Sequence, residues 1–407
     1  MDLDTAPLVL DLSGSDIQGE IRRLRERGPI TPVQVTPEVL AWSVTDSALI
    51  KLFLTSEAIT KDPQHWPAFR NGEINEDFPL HNWVNTHSMF TAGGEEHRRL
   101  RKYVAPAFTH RRTADLQPRV QEITDNLLGE LGSIQSEPVD LRQTFAYPLP
   151  LQVITELLGV PNTMARDVCR GVEGIFEISA TEQARTVSYN ILMNLLKELV
   201  EHRRSNPGDD LTSALATVAY DESNDFSVEN LIGTLYLTIN AGYETTANLI
   251  DQTIFLLLTH PEYLNKALDG SLEWTEVIEE ALRYEAPAAH VPLRYAVKDI
   301  EVDGILIAKG DPILISFAAP GRDPKVHGDS ADTFDPTRRI KDHLAFGHGS
   351  HHCLGAPLAR MEAQIAVPAI MGRYPDMRLA APVDELGVTP GPVANGHLRL
   401  PVLLRGE

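Results

Sequence analysis

A short turn near the C-terminus, with one cysteine at its apex, constrains this chain more than any other feature. Residues 346–355 read FGHGSHHCLG, and an apolar helical pattern begins immediately afterwards. Gly347 and Gly349 permit backbone angles that other residues avoid. Gly355 has no side chain, so another group can approach its backbone closely. The N-terminus of the following helix supplies partial positive charge and free N–H groups, which favour a thiolate over a thiol. The sequence therefore predicts a loop that presents the thiolate of Cys353.

Two other interpretations of Cys353 fit the sequence less well. A free cysteine is most often a small buried apolar residue, but few such residues stand between glycines and a helix start. The neighbouring His348, His351 and His352 resemble a zinc cluster, yet structural zinc needs four ligands, usually from two paired knuckles. The only other cysteine, Cys169, has no second knuckle beside it. We therefore do not expect a zinc site.

The amino-acid composition indicates a large globular protein. Its 407 residues, 43% of them hydrophobic, can bury a sizeable core. No linker, repeat or low-complexity run divides it, which favours one continuous unit over residues 1–407. The first residues lack a leader pattern, no apolar run could span a membrane, and two cysteines leave no disulfide framework. We expect a soluble, cytoplasmic monomer.

The charge distribution restricts the partners of the chain. A formal net charge of -21 argues against general binding to nucleic acids or anionic membranes. The local exception is a basic run, HRRLRK at residues 97–102 and HRR at residues 110–112. Such a cluster is most often a solvated face. A docking surface for an acidic protein is the alternative.

Hydrophobic periodicity predicts an α+β chain, mostly α, with minor sheets at its two ends. The β-containing parts are about 1–60 and 293–320, and the pattern between 94 and 282 is mostly helical. Short strands are expected at residues 33–35, 39–44, 293–297, 300–302 and 312–316. The longest helix is expected to begin after the N-cap Ser227 and to end before His260.

Polar residues interrupt the middle of this long apolar helix. Residues 241–246 read AGYETT, which opposes both helix propensity and burial. Local conflicts of this kind often mark a functional site. A packing glycine with a solvent-facing glutamate is the alternative explanation.

The order Phe-Gly-x-Gly-x-His-x-Cys-x-Gly in residues 346–355 resembles the haem-binding loop of the cytochrome P450 family. The resemblance extends from about Pro29 to the C-terminus and is greatest to soluble bacterial, especially actinomycete, members. It implies the cytochrome P450 fold, a helix-rich body with small β-sheets around haem b, in one catalytic domain. It also implies that Cys353 is the proximal ligand of the haem iron, where a thiolate favours O–O cleavage.

The resemblance further implies which residues contact the haem. His97 and Arg101, at i and i+4 on one helix face, would neutralise the two propionates together with Arg294 and His351. Such pairing is needed because a buried dianionic edge is otherwise very costly. The remaining implied contacts are Phe346, Gly347, Gly355, Ala241 and Gly242.

The polar segment of the long helix also resembles part of the family. Ala-Gly-x-Glu-Thr at residues 241–245 is similar to its oxygen-binding groove, where Glu244 and Thr245 match the acid–alcohol pair that delivers protons to dioxygen. Small residues there would let the helix open locally for dioxygen and water. Thr246 lies about 100° round the helix and is the weaker candidate.

A pair of charged residues follows the long helix. Glu280 and Arg283, at i and i+3, taken alone would be a surface ion pair worth little. They resemble the family's Glu-x-x-Arg pair, and Arg338 matches its third member. The planar fork of an arginine can hold a carboxylate and a carbonyl together, so the resemblance implies a buried clamp.

By resemblance the protein is a haem-thiolate monooxygenase that inserts one oxygen atom from O₂ into an unactivated C–H bond. The resemblance implies that the substrate contacts residues 65–89, 174–184, 237, 241, 289–291 and 393–395, which include both bulky aromatic and small residues. Such a lining suits a bulky hydrophobic substrate, for example a steroid, a macrolide or another polyketide-type secondary metabolite. The pocket residues expected from these stretches are Trp83, Met89, Phe176, Leu237, Ala241, Ala289, Val291 and Val393.

The chain carries no cysteine cluster for iron–sulfur and no glycine-rich dinucleotide loop, so electrons from NAD(P)H must come through separate proteins. A ferredoxin or flavodoxin, with its reductase, would dock on the basic run. Oxidative coupling or cyclisation would use the same motifs. A peroxide-driven enzyme, or a haem-based binder or sensor, would need neither Glu244 and Thr245 nor a docking face.

Overall fold

The computed structural model describes residues 6–75, 78–134, 138–176 and 182–405. The helices in these segments are α1 (Ile17–Arg27), α2 (Ser47–Thr55), α3 (Pro67–Arg70), α4 (His81–Asn85), α5 (Gly94–Val104), α6 (His110–Asp115), α7 (Gln117–Ser133), α8 (Pro148–Leu157), α9 (Asn162–Phe176), α10 (Glu182–Ser205), α11 (Leu211–Ala219), α12 (Val228–Thr259), α13 (Pro261–Leu268), α14 (Trp274–Tyr284), α15 (Pro324–His327) and α16 (Ala356–Arg373). The strands are β1 (Leu8–Val9), β2 (Ile30–Thr36), β3 (Val39–Val44), β4 (Ile59–Thr60), β5 (Val139–Asp140), β6 (His290–Ala296), β7 (Ile300–Val302), β8 (Ile305–Ile307), β9 (Pro312–Ser316), β10 (Arg378–Leu379) and β11 (Pro401–Leu403).

The largest sheet joins strands from both ends of the chain in the order β1-β2-β3-β9-β6-β4. A hairpin pairs β2 with β3, and β3 then runs parallel to β9, with Trp42 opposite Ile313. The two separate end sheets expected from the sequence are therefore one sheet. Local periodicity indicates where a strand forms but not which distant strand it pairs with. Two smaller sheets have the orders β10-β11-β5 and β7-β8.

Strand β6 begins three residues before the expected strand at 293–297. All seven of its residues are buried, so the sequence shows no alternation of apolar and polar residues. Pro292 falls where the pairing of β6 with β9 shifts register, between Val291 and Arg294. A proline is tolerated at such an irregularity because no ladder hydrogen bond is required of it.

The long helix α12 confirms the strongest prediction from periodicity. Ser227 caps it, because its Oγ accepts from Asn230 N at 3.1 Å while its own N donates to Asn230 Oδ1 at 3.1 Å. The helix ends where Pro261 starts α13. Its 32 residues span about 48 Å. Helices α8, α10, α11, α14 and α16 pack around it.

The cysteine loop lies between the hydrophobic core of the helical body and the core of the six-stranded sheet. The larger hydrophobic cluster surrounds α12 with residues of α7, α8 and α16, and smaller clusters lie on the faces of the six-stranded sheet. The loop at residues 346–355 precedes α16 and packs against α2. It therefore stands where the helical body meets the sheet. No helix of the described segments is both long and apolar enough to cross a membrane.

Candidate active site

The cysteine loop has the backbone that its glycines allow. Gly347 and Gly349 both have φ of 72°, a conformation that L side chains rarely adopt. A Cβ on Gly349 would lie only 2.4 Å from the carbonyl oxygen of Leu54 in α2. The loop is closed by Cys353 N, which donates to Phe346 O at 2.9 Å. Glycine at these positions is therefore required both by backbone angle and by close packing.

The thiol of Cys353 faces open space while protein surrounds its other sides. The residue is exposed, yet enough protein lies around it that burial raises the pKa of the thiol above its ordinary value. The N–H groups of Gly355 and Ala356, with the charges of Arg101 and Arg360, act in the opposite direction. The helix N-terminus thus favours the thiolate as expected, but burial outweighs it in the protein alone. A cation bound at the sulfur would reverse the balance.

Four basic residues expected beside the haem come together from three elements. His97 and Arg101 lie on α5, Arg294 on β6 and His351 in the cysteine loop. The rings of His97 and His351 stack with centroids 3.8 Å apart, and Arg101 donates to His352 O at 2.7 Å. Burial is the main cause that lowers the pKa of His97 to about 4 and that of Arg294 to about 10. His97 Nε2 and one terminal nitrogen of Arg294 have no hydrogen-bond partner.

A fifth basic residue, Lys61, was not predicted from the sequence. It is 5% exposed, and its Nζ lies 3.1 Å from the ring centroid of Phe90. Burial, followed by the charge of Arg294, lowers its pKa well below the ordinary value. Lys61 reaches this place because β4, which precedes it, pairs with β6 so that Thr60 stands opposite Tyr295. That pairing joins residues far apart in sequence, so no local signal marked the lysine.

These five basic side chains test whether the site fits haem. None of them forms an ion pair with a carboxylate within the segments that the structure describes. Several basic groups buried together without a counter-charge are costly. A dianionic group would relieve that cost, and haem carries two propionates. The accessible thiol and the unpaired basic cluster therefore fit haem as the missing group.

The middle of α12 presents both small and polar residues. Ala241 is exposed although it lies halfway along the most centrally packed helix, so open space adjoins it. Thr245 Oγ1 donates to Ala241 O at 2.6 Å. A Cβ on Gly242 would lie 2.7 Å from Ile154 Cδ1, so this glycine serves the packing of α12 against α8. The helix is continuous here, and the local opening expected from the sequence is not present. Thr245 instead bonds to the preceding turn, as mid-helix threonines commonly do.

Glu244 and Thr246 differ in their surroundings. Glu244 is half-buried, and burial raises the pKa of its carboxyl to about 7, while the charge of Arg142 opposes that rise. A carboxyl that titrates near neutrality can both collect and release a proton under working conditions. Thr246 is 4% exposed and packs into the protein. Of the polar residues here, Glu244 and Thr245 are thus the two with access to open space.

The three residues expected to form a clamp do meet. Glu280 and Arg283 are fully buried and form a bidentate ion pair. Both of its hydrogen bonds, from Arg283 Nε and Nη2 to the two carboxylate oxygens of Glu280, are 2.7 Å long. Arg338 Nε donates to Glu280 Oε1 at 2.9 Å. Arg283 also donates to the carbonyl of Gly321, before α15. Both guanidinium groups donate to backbone carbonyls of residues 330–333, after α15. A Cβ on Gly321 would lie 1.9 Å from Arg283 O, which explains glycine at that position.

The expected pocket residues lie in different surroundings. Met89 and Leu237 are half-buried, Ala241 is exposed, and Trp83 is 37% exposed with its ring 5.8 Å from that of Phe90. Val291 and Val393 retain only 8% and 7% exposure. The strand and the C-terminal loop that carry these valines meet where Ala289 N donates to Val393 O at 2.7 Å.

The last two expected pocket residues are Ala289 and Phe176. Ala289 is fully buried among Ile17, Ile21 and small residues near the start of β6, so it does not face open space. The reason is that α1 covers this side of the strand. Phe176 is the last residue of α9, and its side chain lies outside the described part of the structure.

Known proteins resemble this chain over most of its length. The family model for cytochrome P450 matches residues 52–269 and 274–375. A 2-hydroxy-5-methyl-1-naphthoate 7-hydroxylase of Streptomyces carzinostaticus is 42% identical, with 98% of each chain covered. The 6-deoxyerythronolide B hydroxylase of Saccharopolyspora erythraea is 35% identical, covering 94% of this chain and 95% of the relative. Among solved structures, CYP154A1 of Streptomyces coelicolor A3(2) superimposes with a TM-score of 0.90 at 48% identity, covering 98% and 100% of the two chains. CYP154C4 of Streptomyces sp. ATCC 11861, in a testerone-bound structure, gives 0.93 at 39% identity, covering 98% and 99%.

The chain belongs to the cytochrome P450 family. Within that family it is a monooxygenase, and membership implies haem held by a thiolate and the use of dioxygen. The resemblance and the fold expected from the sequence are thereby confirmed.

Proposed function

We propose that this monooxygenase hydroxylates a bulky hydrophobic secondary metabolite at one position, with Cys353 as the haem-iron ligand. One observation carries the proposal. An accessible thiol on a glycine-containing loop lies beside a largely buried cluster of basic groups that lacks any described counter-charge. No other arrangement in the described part of the chain combines a metal-binding sulfur with a site for a dianion.

The residues that would hold the haem follow from this cluster. Lys61, His97, Arg101, Arg294 and His351 would bind the propionates, since each gains a charge partner that it otherwise lacks. Phe346, Gly347 and Gly355 would border the haem beside Cys353, and the exposed Ala241 of α12 would also border it. Gly242 would contribute indirectly, because it lets α12 pack closely against α8. When bound, the haem supplies iron-centred activation of dioxygen and transfer of one oxygen atom to carbon.

Glu244 and Thr245 would handle the protons. With a pKa raised to about 7 by burial, the carboxyl of Glu244 exchanges protons with solvent near neutral pH. The hydroxyl of Thr245 would then donate in place of its present hydrogen bond to Ala241 O. Loss of either side chain should leave substrate binding intact but should increase the NAD(P)H consumed without product formation.

The substrate class rests on the lining and on relatives. Trp83, Met89, Leu237, Val291 and Val393 would provide an apolar wall for a large guest. Two similar proteins are named as hydroxylases of a naphthoate and of 6-deoxyerythronolide B, and a third was solved with bound testerone. We infer a steroid-like, macrolide or aromatic polyketide-type substrate from this combination.

Electrons would arrive from a ferredoxin or flavodoxin on the surface that includes Lys102 and Arg111. Both side chains are exposed. Other members of the basic run are already paired, since Arg99 contacts Glu96 at 2.7 Å and Arg112 contacts Asp209 at 2.6 Å. The positive charge available to bind an acidic partner is therefore smaller than the number of basic residues in the run indicates. A cytoplasmic location and a monomeric state stay predictions.

The proposal is tested by titrating the purified ferric protein with steroids, macrolide aglycones and hydroxynaphthoates while recording the Soret band. A substrate that fits should displace water from the iron and give a low- to high-spin shift, after which products can be sought. Cys353→Ser should lose the thiolate-type spectrum, and its retention would refute the assignment of the ligand. Haem without any spin shift would contradict only the substrate class. Analysis of the product distinguishes hydroxylation from coupling or cyclisation.

A further inference from the structure

A buried polar network surrounds Arg142, near the middle of α12. Arg142 is fully buried and begins a π-helical turn, Arg142–Ala146, a feature frequent at functional sites. Its guanidinium donates to Tyr147 Oη at 2.5 Å, to Asn248 Oδ1 at 2.8 Å and to Thr389 Oγ1 at 3.1 Å. It also lies 3.2 Å from Asp251 Oδ2. Three separate parts of the chain thus meet at one charge.

The network is anchored from the C-terminal side by His397. Asp251 Oδ2 accepts from His397 N at 3.0 Å and lies 2.9 Å from His397 Nδ1. The adjoining Gly396 permits this approach, since a Cβ there would lie 2.3 Å from Asn248 Oδ1 and 2.8 Å from an Arg142 nitrogen. The loop carrying Val393 is therefore fixed to α12 through these contacts.

Glu244 lies on the same side of α12 as this network. Residues 244, 248 and 251 stand at i, i+4 and i+7, which places them on one helix face. The ring of Tyr147, which receives a hydrogen bond from Arg142, packs 5.2 Å from the ring of Tyr243 beside Glu244. Glu244 itself forms no hydrogen bond with any residue that the structure describes. Glu244 therefore shares a helix face with Asn248 and Asp251, the two residues of α12 that hold Arg142.

The network does not conduct protons by itself. An arginine stays protonated at all accessible pH values. Although burial opposes ionisation of Asp251, His397 and Arg142 together hold its pKa below the usual range. Both groups therefore keep fixed charges near neutral pH. What the network can supply to Glu244 is a constant electrostatic field.

We propose that Arg142 is a positioning residue for Glu244: its guanidinium, held by Asp251, Asn248 and Tyr147, provides the fixed positive charge against which the Glu244 carboxylate works. This inference rests on the proposed role of Glu244 in proton transfer. The titratable and charged groups around the site are Arg142, Tyr147, Glu173, Tyr243, Asp251 and His397. Among them Arg142 is the one that stabilises the charged form of Glu244.

The test follows the protonated-carboxyl band of Glu244 in infrared spectra of the holoenzyme across pH, identified by its loss in Glu244→Gln. The parent should titrate near pH 7. The double variant Arg142→Met/Asp251→Asn removes the positive charge with its counter-ion, so the half-point should rise by about one pH unit. Asp251→Asn alone leaves Arg142 less neutralised, so the half-point should fall. Opposite responses of two variants in one network are not expected of a merely structural role.

Asp210→Asn is the matched control, because this carboxylate is also buried and lies 3.3 Å from an arginine, Arg203, in another part of the molecule. It should leave the Glu244 titration unchanged. The inference is wrong if the double variant keeps the parent half-point, or if Asp251→Asn alone does not lower it. The single variant decides the matter should the double variant fail to fold. Dependence of product formation on Glu244 is measured separately, so a failure here does not imply a failure of the proposed function.

Discussion

Thr245 and Thr246 are neighbours on α12 but face different surroundings. Thr245 borders open space and holds its proton against Ala241 O, whereas Thr246 is buried. We expect Thr245→Ala to release more hydrogen peroxide and less product for each NAD(P)H consumed, because a proton donor beside the oxygen is lost. Stoichiometry of NAD(P)H, peroxide and product in the reconstituted system checks this.

Thr246→Ala is the matched control for this prediction, since it removes the same atoms one position away. It should keep the coupling of the parent even if it lowers stability slightly. Equal uncoupling by the two substitutions would show that any cavity in α12 has this effect. Unchanged coupling in Thr245→Ala would exclude Thr245 from proton delivery.

Lys61 provides a second prediction at the scale of single residues. Its buried position beside Arg294 suggests that it binds a haem propionate. Loss of a charged hydrogen bond costs about 1.5–3 kcal/mol, so Lys61→Met should increase the rate of haem transfer to an acceptor globin by about tenfold or more. The haem reduction potential should also fall, because removing a positive charge disfavours the reduced form.

Two comparisons decide whether charge is the cause. Lys61→Arg keeps the charge and should stay close to the parent in both measurements. Lys51→Met changes an exposed lysine of α2 and should have no effect. If Lys61→Met and the parent lose haem at the same rate, Lys61 does not contact a propionate.

Single residues show clearly what sequence reasoning could reach. The cysteine, its glycines and the two basic residues one turn apart on α5 stand close together in the chain, so their relation is visible as spacing. Lys61 and Arg142 act through contacts with residues far away in sequence. Their burial is produced by tertiary packing, and a lone Lys or Arg normally indicates an exposed side chain.

At the scale of elements, the contacts of Glu280 tie α14 to the segment around α15. Its carboxylate is fully buried and serves two arginines and the N–H of Asp335. Glu280→Gln leaves two guanidinium groups short of their counter-charge, so the free energy of unfolding should fall by about 3–5 kcal/mol. Urea denaturation followed by circular dichroism measures the change.

Glu276→Gln, one turn earlier on the same helix, is the control for this effect. Its side chain is 53% exposed and pairs with Lys341. The expected loss is below about 1 kcal/mol, as for most exposed pairs. Similar losses for the two variants would mean that the buried clamp contributes no more than a surface ion pair.

Periodicity located individual elements better than their partners. Helix α12 was predictable to its ends because a 32-residue apolar helical pattern, an N-cap and a terminal proline coincide. Strand β6 was located but misjudged at its start, since burial on both faces removes the alternation that marks a strand. The joining of β3 to β9 depends on packing of the whole chain, which no local pattern records.

At the scale of the whole molecule, a net charge of -21 would repel the acidic ferredoxin or flavodoxin that we propose as the electron donor. The exposed Lys102 and Arg111 would supply a local positive field. Lys102→Glu/Arg111→Glu should lower the bimolecular rate of reduction by an acidic ferredoxin by about tenfold at low ionic strength. The difference should shrink at high salt because exposed charges are then screened.

Lys298→Glu/Lys309→Glu makes the same change of total charge on exposed residues elsewhere. If net charge alone governed the encounter, both double variants would slow it equally. We expect the control pair to have a much smaller effect. Stopped-flow reduction over a series of salt concentrations distinguishes these outcomes.

The parallel pairing of β3 with β9 also has a consequence for biosynthesis. Trp42 leaves the ribosome roughly 270 residues before its partner Ile313, and at roughly 5–20 residues per second the interval is roughly 15–50 seconds. Throughout that time the β2–β3 hairpin has an unsatisfied edge that could pair with another nascent chain. The yield of native enzyme should therefore depend on chaperones that shield the first 60 residues during translation.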